Sequence, residues 1–163
     1  MTYYDDIAEG YDGLHADEQK RKLSIIQPLI EVRGEDALLD VGCGSGISTR
    51  VWACMRTGID PAEKLISIAR EKDPAGTYIV GAAEQLPFAD HMFDIVQSLT
   101  AIHNFLDHDK AIKEMKRVGR DMFVISVLAR SAHYDAIKAS IVAHLSVRRI
   151  LKDDKDVIFI ATS

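Results

Sequence analysis

The stretch LLDVGCGSGIST, residues 38–49, decides the fold, because it places three glycines at alternate positions directly behind an apolar run that contains an aspartate. Gly42, Gly44 and Gly46 permit backbone angles that other residues avoid, and they let a ligand approach the main chain closely. The apolar run before them predicts a buried strand, and segment 46–52 after them predicts a brief helix. A glycine loop between a strand and a helix is typical of a nucleotide-binding site.

The spacing of these glycines and the nearby charge argue against a dinucleotide ligand. A dinucleotide fingerprint reads G-x-G-x-x-G and places a pyrophosphate on the N-terminus of the following helix. Here the third glycine comes one residue early, and Asp40 adds a negative charge where a pyrophosphate would lie. A ligand with an ammonium group and a ribose but no phosphate removes the conflict, and S-adenosylmethionine is such a ligand.

A second acidic residue, Asp60, ends the next predicted strand. A carboxylate at this point has enough acceptor sites to bind both hydroxyls of a ribose. Its alternative role is to cap the helix that is predicted to begin at Pro61. Both roles are compatible, because only the side-chain oxygens are contested.

Outward from the loop, short apolar segments alternate with longer segments of helical period. The predicted strands are 37–42, 54–60, 77–82, 93–99 and 121–128. Such alternation predicts a doubly wound α/β fold, with a mostly parallel sheet and helices on both faces. Two more strands, 146–151 and 156–162, are joined by a connection too short for a crossover helix, so they predict a C-terminal antiparallel hairpin.

Four segments together resemble the successive motifs of class I S-adenosylmethionine-dependent methyltransferases: LLDVGCGSG, TGIDPAEKLISIAR, GAAEQLPFADHMFDIVQS and MKRVGRDMFVISV. The nearest likeness is to the small-methyltransferase group of ubiquinone/menaquinone biosynthesis type. The resemblance implies a Rossmann-like seven-stranded sheet with its last strand inserted antiparallel. It also implies an enzyme that transfers a methyl group from S-adenosylmethionine and leaves S-adenosylhomocysteine.

The resemblance further implies the residues of the cofactor site. The glycine loop would hold the methionine part with Asp40 near its ammonium, and Asp60 would hold the ribose. An aromatic residue of the N-terminal lid, Tyr11, would close over the ligand, and the residues that end the fourth strand would face the sulfonium. The complete implied set is Tyr11, Asp40, Gly42, Cys43, Gly44, Gly46, Asp60, Pro61, Ala83, Glu84, Ser98 and Leu99.

One position departs from the family pattern. Ala82 stands where the family usually has an aspartate that accepts a hydrogen bond from the adenine amino group. Only backbone groups of Ala83 or the side chain of Glu84 can replace that contact. The segment between Gly46 and Asp60 is also several residues shorter than in the family, which is why the helix predicted there is brief.

Methyl transfer from a sulfonium is an in-line displacement that depends mainly on alignment, so it requires neither a metal nor a covalent nucleophile. No metal site is predicted, because Cys43 and Cys54 lack a second pair of ligands. A general base helps when the acceptor is a hydroxyl or a protonated amine. The candidate catalytic residue is His103, just after the fourth strand, where ligands sit in such sheets. Its alternative role is packing or capping.

The 163 residues carry a net charge of −5 and show no repeat or linker, so they predict a single domain over 1–163. This domain would comprise an N-terminal lid or helical segment, 1–32, and a sheet core, 37–163. No apolar run is long enough to span a membrane, and the acidic N-terminus is unlike a secretion signal, so a cytoplasmic location is expected.

The sequence indicates the methyl acceptor and any partner subunit less specifically than it indicates the cofactor. Segment 110–155 holds 11 basic against 5 acidic residues, which indicates either an anion-binding surface or the solvated face of a helix. A small-molecule or protein acceptor is favoured, and nucleic acid stays open. A partner subunit or a homodimer is compatible with so small a chain.

Two other functions compete with that of an active methyltransferase. The chain can be a catalytically silent S-adenosylmethionine-binding subunit that acts with a partner protein, which the Ala82 departure favours. It can also be a nicotinamide-dependent oxidoreductase, which the glycine spacing and Asp40 oppose.

Overall fold

The computed structural model describes residues 11–163, apart from the side chains of Tyr11, Asp12 and Leu14. Residues 1–10 of the predicted lid segment therefore lie outside the described residues. The helices are α1 (Tyr11–Ile26), α2 (Glu63–Lys72), α3 (His108–Val118) and α4 (Tyr134–His144). The strands are β1 (Ala37–Val41), β2 (Met55–Asp60), β3 (Thr77–Val80), β4 (Phe93–Leu99), β5 (Gly119–Leu128), β6 (Ser146–Lys152) and β7 (Asp156–Thr162).

All seven strands form one sheet in the order β3-β2-β1-β4-β5-β7-β6. The first five strands in that order pair in parallel. β7 enters antiparallel between β5 and β6. The predicted doubly wound sheet with a C-terminal hairpin is therefore confirmed. The carboxyl ends of β1, β2 and β4 meet at one edge, which is where ligands bind in sheets of this kind.

The two faces of the sheet can be read from the alternation of side chains along β5. Phe123 and Ile125 belong to the apolar cluster that includes α3 and α4. Val124 belongs to the cluster that includes Leu23 and Ile26 of α1. Successive strand residues point to opposite faces, so α1 covers one face of the sheet, and α3 and α4 cover the other.

The prediction of a helix over segment 46–52 is wrong, because residues 46–54 form consecutive turns and bends. Gly46 O accepts the N–H groups of Thr49 and Arg50 at 3.2 and 3.0 Å, and Trp52 N donates to Thr49 O. The chain then enters β2 at Met55. Few residues separate the loop from that strand, and nucleating a helix costs backbone entropy that so short a segment does not recover.

α3 shows the opposite case, in which the predicted helix forms with its cap. The Asp107 side chain accepts the N–H group of Lys110 at 2.9 Å, as an N-cap does. Asp109, in the first turn of α3, accepts from Ser140 of α4 at 2.6 Å and lies 2.8 Å from His144. Asp109 therefore joins α3 to α4.

α1 is fixed to the sheet by a buried ion pair. Lys22 Nζ lies 2.7 Å from Asp156 Oδ2, with the two side chains 0% and 1% exposed. Lys22 also donates to the hydroxyl of Thr100. Thr100 has φ 54°, which strains a β-branched residue, and its N–H group donates to Ser126 Oγ at 2.8 Å. These contacts set the direction in which the chain leaves β4.

Two features are absent from the part of the chain that the structure describes. No helix there has the length and apolar character needed to cross a membrane. Across the same residues, no three His, Cys, Asp or Glu side chains are grouped so that they could hold a metal ion.

Candidate functional site

The glycine loop after β1 adopts a backbone that only glycine accommodates easily. Gly42, Gly44 and Gly46 have φ values of 77°, 55° and 80°. The N–H groups of Gly42 and Cys43 both donate to Ile59 O, at 2.8 and 3.1 Å, which ties the loop to the end of β2. A Cβ atom on Gly42 would lie 2.4 Å from Ala101 Cβ. The loop therefore lies close to the segment that leaves β4.

Asp40 lies beneath this loop and is fully buried. Its Oδ2 accepts hydrogen bonds from Ser48 Oγ at 2.6 Å and from Thr49 Oγ1 at 2.8 Å. Its Oδ1 is buried and has no hydrogen-bond partner among the described residues. Burial raises the pKa of Asp40, and the side chains of Ser48, Thr49 and Gln97 oppose that rise. An unpartnered buried carboxylate oxygen suits a positively charged group and is unfavourable for a phosphate.

Asp60, at the end of β2, uses one carboxylate oxygen to hold the glycine loop and the other to hold the turn before α2. Oδ2 accepts the N–H group of Gly44 at 3.0 Å, and Oδ1 accepts that of Ala62 at 2.9 Å. Helix α2 begins at Glu63 with Ala62 at the N-cap position, so Asp60 braces the turn before the helix. Each carboxylate oxygen has two lone pairs, so an oxygen that accepts one backbone N–H group can also accept a hydrogen bond from a ribose hydroxyl.

A cleft of about 110 Å³ opens between the loop and the ends of β2 and β4. Its walls come from four segments of the chain, the first at Gly42. The others contribute Pro61, Ala82, Ala83, Glu84, Asn104, Phe105 and Leu106. The predicted residues Gly42, Pro61, Ala83 and Glu84 are therefore brought together around one cavity.

The Ala82 departure is visible in this cleft. Ala82 is exposed and presents no polar side-chain atom. Glu84 Oε1 accepts the N–H groups of Leu106 at 2.7 Å and Asp107 at 3.2 Å. The Glu84 carboxylate therefore holds the opposite wall of the cleft, at residues 106–107, in place.

Three predicted cofactor residues turn their side chains away from the cleft. Cys43 is buried in a small cluster with Ile66, Ala69 and Tyr78, and burial raises the pKa of its thiol well above the ordinary range. Leu99 packs in the core on the α1 face. Ser98 Oγ is buried and has no partner among the described residues. The side chain of Tyr11 lies outside the described residues.

A second cavity, of about 240 Å³, lies at the ends of β4 and β5 beside α1. Its walls include His15, Gln19, Thr100, His103 and Leu128. The buried atoms Gln19 Oε1 and His103 Nδ1 have no hydrogen-bond partner among the described residues. Burial lowers the pKa of His103, so its imidazole is neutral at neutral pH. Segment 100–106 contributes residues to both cavities.

Sequence reasoning missed several residues that shape the site. The first cavity is lined by Asn104, Phe105 and Leu106. In the sequence, only their position directly after His103 indicates that they belong to the site. Gln97 accepts from Trp52 Nε1 at 3.1 Å and donates to Ser48 O at 3.0 Å. A glutamine inside the apolar run of β4 was a usable signal, because buried polar side chains are normally hydrogen-bonded.

Comparison with known proteins agrees with this geometry. Residues 39–122 match a family described as a methyltransferase domain. The chain is 31% identical over 128 residues to a demethylmenaquinone methyltransferase of Thermotoga maritima, covering 72% of this chain and 56% of the relative. The chain spans about half the length of the curated relatives it matches.

Solved structures share the fold. A chain in the complex between the Haloferax volcanii Trm112 methyltransferase activator and a methyltransferase superposes with a TM-score of 0.85 at 18% identity, covering 99% of this chain and 98% of that one. Magnesium protoporphyrin IX methyltransferase from Synechocystis, with bound S-adenosylmethionine, gives 0.71 at 15% identity, covering 91% and 79%. At these identities the likeness concerns the fold.

The chain belongs to the methyltransferase domain family. This confirms the resemblance to class I S-adenosylmethionine-dependent methyltransferases of the small ubiquinone/menaquinone type. The predicted cofactor, S-adenosylmethionine, is confirmed at the level of the family.

Proposed function

We propose that this chain binds S-adenosylmethionine in the glycine-loop cleft and transfers its methyl group to an acceptor by in-line displacement. The observation that carries the proposal is the buried, unpartnered Oδ1 of Asp40 beneath three glycines with positive φ. That arrangement suits an ammonium group close to the backbone and opposes a pyrophosphate, which also argues against a nicotinamide cofactor.

The roles of the chain's residues follow from their positions. Asp40 receives the ammonium, directly or through a water, and Asp60 accepts from the ribose hydroxyls. Pro61, Ala83 and Glu84 line the adenine end of the cleft, where the backbone of Ala83 replaces the polar contact that Ala82 lacks. When bound, S-adenosylmethionine supplies an activated methyl group on a sulfonium, so the protein contributes alignment and exclusion of water.

The second cavity is the proposed acceptor site, with His103 as general base. The lowered pKa of His103 leaves its imidazole unprotonated and able to accept a proton at neutral pH. Gln19 Oε1, buried and unpartnered in the same cavity, suits an acceptor that donates a hydrogen bond. A hydroxyl or an amine of a small molecule or of a protein side chain has this chemistry.

The contacts of α3 support the same choice of acceptor over nucleic acid. Arg117 pairs with Asp90 and Glu114 at 2.8 and 2.7 Å, and Lys113 pairs with Asp109 at 2.7 Å. A basic surface that binds phosphates needs cations available for that contact. These two cations already have carboxylate partners. This favours the interpretation that the basic residues form the solvated face of a helix and not an anion-binding surface.

Binding is tested by calorimetric titration with S-adenosylmethionine, S-adenosylhomocysteine and NAD. We expect the first two to bind and NAD not to bind. Asp60→Ala removes hydrogen bonds to a charged group worth about 1.5–3 kcal/mol each, so it should weaken binding at least about tenfold. The matched control is Asp94→Ala at the opposite edge of the sheet, where Asp94 accepts the N–H group of Ala37 at 2.8 Å. Equal affinity of the wild type and a folded Asp60→Ala variant would sink the ribose assignment.

Catalysis is tested by an acceptor screen with methyl-labelled S-adenosylmethionine against fractionated small molecules and proteins. Once an acceptor is found, His103→Gln should lower turnover about a hundredfold, the usual contribution of a general base, with cofactor affinity unchanged. The wild-type rate should fall only below pH 6.5, because burial lowers the pKa of His103 from that ordinary value. His91→Gln is the control, since His91 contacts Gly119 O away from both cavities. A His103→Gln variant with full turnover would exclude the base.

A second candidate function is a catalytically silent S-adenosylmethionine-binding subunit that acts with a partner protein. It is favoured by the structural likeness to a chain of the complex with the Trm112 methyltransferase activator and by the missing adenine contact at Ala82. Co-purification from the native organism followed by the same acceptor screen distinguishes the two. Methyl transfer by the isolated chain supports the enzyme, and transfer that appears only with a co-purified protein and survives His103→Gln supports the silent subunit.

A further inference from the structure

The glycine loop has no helix behind it, and a side chain from the edge strand β3 fills the space beneath it. A Cβ atom on Gly46 would lie 2.9 Å from the hydroxyl oxygen of Tyr78 and 3.0 Å from its ring. A Cβ atom on Gly58 would lie 2.8 Å from the same ring. Glycine at both positions therefore lets Tyr78, which is 3% exposed, pack directly against the main chain of the loop and of β2.

Tyr78 is held at two ends, its ring hydroxyl and its backbone oxygen. Its hydroxyl donates to Asp73 Oδ2 at 2.7 Å. The guanidinium of Arg56 donates to the same carboxylate at 2.8 and 2.5 Å. At the other end, Arg70 donates to the backbone oxygen of Tyr78 at 3.0 and 2.7 Å. A buried tyrosine with its hydroxyl on a clamped carboxylate has little freedom to move.

Gly46 is the point through which Tyr78 reaches the cofactor site. Gly46 N donates to Cys43 O at 3.0 Å, and Gly46 O accepts from Thr49 and Arg50. Thr49 in turn donates its hydroxyl to Asp40. A displacement of the Tyr78 ring would therefore move Gly46, the turn that follows it and the hydroxyl that orients the Asp40 carboxylate.

We propose that Tyr78, anchored by Asp73 and Arg56, is a positioning residue that holds the glycine loop in its cofactor-binding conformation and replaces the support that a helix after the loop would give. The proposal rests on the proposed function only where cofactor affinity is concerned. The conformation of the loop itself is measurable without any ligand.

The first test is amide exchange of the ligand-free protein, compared between wild type, Tyr78→Phe and Tyr78→Leu. We expect exchange at Gly46, Thr49 and Arg50 to accelerate about tenfold in Tyr78→Leu, since a loop that loses its packing opens locally. Tyr78→Phe keeps the ring and loses only the bond to Asp73, so about threefold is expected. The matched control is Phe159→Leu, which removes a fully buried ring from β7, far from the loop. It should leave exchange at these three amides unchanged once its effect on global unfolding is subtracted.

The second test is the affinity of the same variants for S-adenosylhomocysteine, measured by calorimetry. Losing a preorganised loop should weaken binding about tenfold in Tyr78→Leu and about threefold in Tyr78→Phe, with Phe159→Leu within about twofold of wild type. Emission from the only tryptophan, Trp52 in the turn segment, should change in the two Tyr78 variants and not in the control.

The outcomes separate this proposal from the proposed function. Failure of the wild-type protein to bind S-adenosylhomocysteine would contradict the proposed function. Faster loop exchange in the Tyr78 variants would still support the role of Tyr78 as a clamp on the glycine loop. Unchanged exchange at the three loop amides in both Tyr78 variants overturns the clamp, and so does equal acceleration in Phe159→Leu. If Tyr78→Leu does not fold, Tyr78→Phe decides alone, and wild-type exchange in that variant overturns the proposal.

Discussion

Two connections border the cofactor cleft, and they are stabilised in different ways. The first connection, residues 42–54, joins β1 to β2 through turns and contains no helix. The second connection, residues 100–118, joins β4 to β5 and contains α3. The first is held by polar side chains from other elements, chiefly Asp40, Gln97 and Tyr78. The second is held by its own apolar stripe and cap.

The stripe on the second connection follows directly from helical period. Ala111, Ile112, Met115 and Val118 are each 0% exposed, and they recur at the spacing of one helix face. Their burial depends on many interchangeable apolar contacts. The first connection depends on a few specific hydrogen bonds made by buried polar side chains. Single polar substitutions should therefore be costly in the first connection and mild in the second.

The largest expected effect comes from Asp40→Asn in the first connection. The substitution keeps the size of the side chain and one oxygen that can accept from Ser48 and Thr49, but it removes the negative charge and replaces the other oxygen with an amino group. Losing a buried charge opposite an ammonium should weaken binding of S-adenosylmethionine about a hundredfold. Calorimetry measures this, with Asp94→Asn as the control at the far edge of the sheet. An affinity within about twofold of wild type would contradict the role of Asp40.

The next effect concerns Gln97→Leu, which leaves two polar groups of the first connection without a hydrogen-bond partner. Trp52 Nε1 and Ser48 O would each lose a buried partner, and each loss costs about 1–3 kcal/mol. Urea denaturation should show a destabilisation of about 2–4 kcal/mol, together with a change in Trp52 emission. The comparison is with Val124→Ala, which removes apolar volume from the neighbouring strand on the same face. If Gln97→Leu is milder than that variant, polar contacts are not what stabilises the turns.

The support of the first connection should also depend on pH. The hydrogen bond from Arg56 lowers the pKa of Asp73, so this carboxylate contributes stability above its ordinary pKa of 3.8, and the contribution is lost as the pH falls below that value. Asp73→Asn should therefore be less stable than wild type at neutral pH, and the gap should close on acidification. Urea midpoints from pH 7 down to pH 2.5 measure the gap. A gap that is constant with pH would contradict the ion pair as its cause.

The smallest effects are expected in the second connection. Asp107→Ala removes the N-cap of α3 and should cost about 1 kcal/mol. Lys113→Ala removes an exposed ion pair with Asp109. Its free energy of unfolding should equal that of the wild type within the error of a urea titration, because exposed pairs contribute little. Cofactor affinity should be unchanged in both variants. A loss in Asp107→Ala as large as that in Gln97→Leu would remove the contrast between the two connections.

Much of the site could be predicted because its residues are marked by local pattern. The glycines of the loop and the aspartates before and after it have fixed spacing, and their chemistry excludes a pyrophosphate. The side-chain directions of Cys43 and Leu99 could not be predicted this way. Cys43 turns inward because Gly58, on another strand, leaves room for its sulfur, and Leu99 follows the alternation of β4 into the core beneath α1.

The sequence by itself determined the order of strands and helices, the C-terminal hairpin and the acidic residues beside the glycine loop. These features depend on hydrophobic period, on caps and on glycine, all of which act within a few residues. Only the tertiary structure decided that the segment after the glycine loop has turns instead of a helix, and that Tyr78 and Gln97 support it. It also decided that Thr100 and His103 share a cavity with α1. The physical reason is that these contacts join residues far apart in the chain, so no local pattern encodes them.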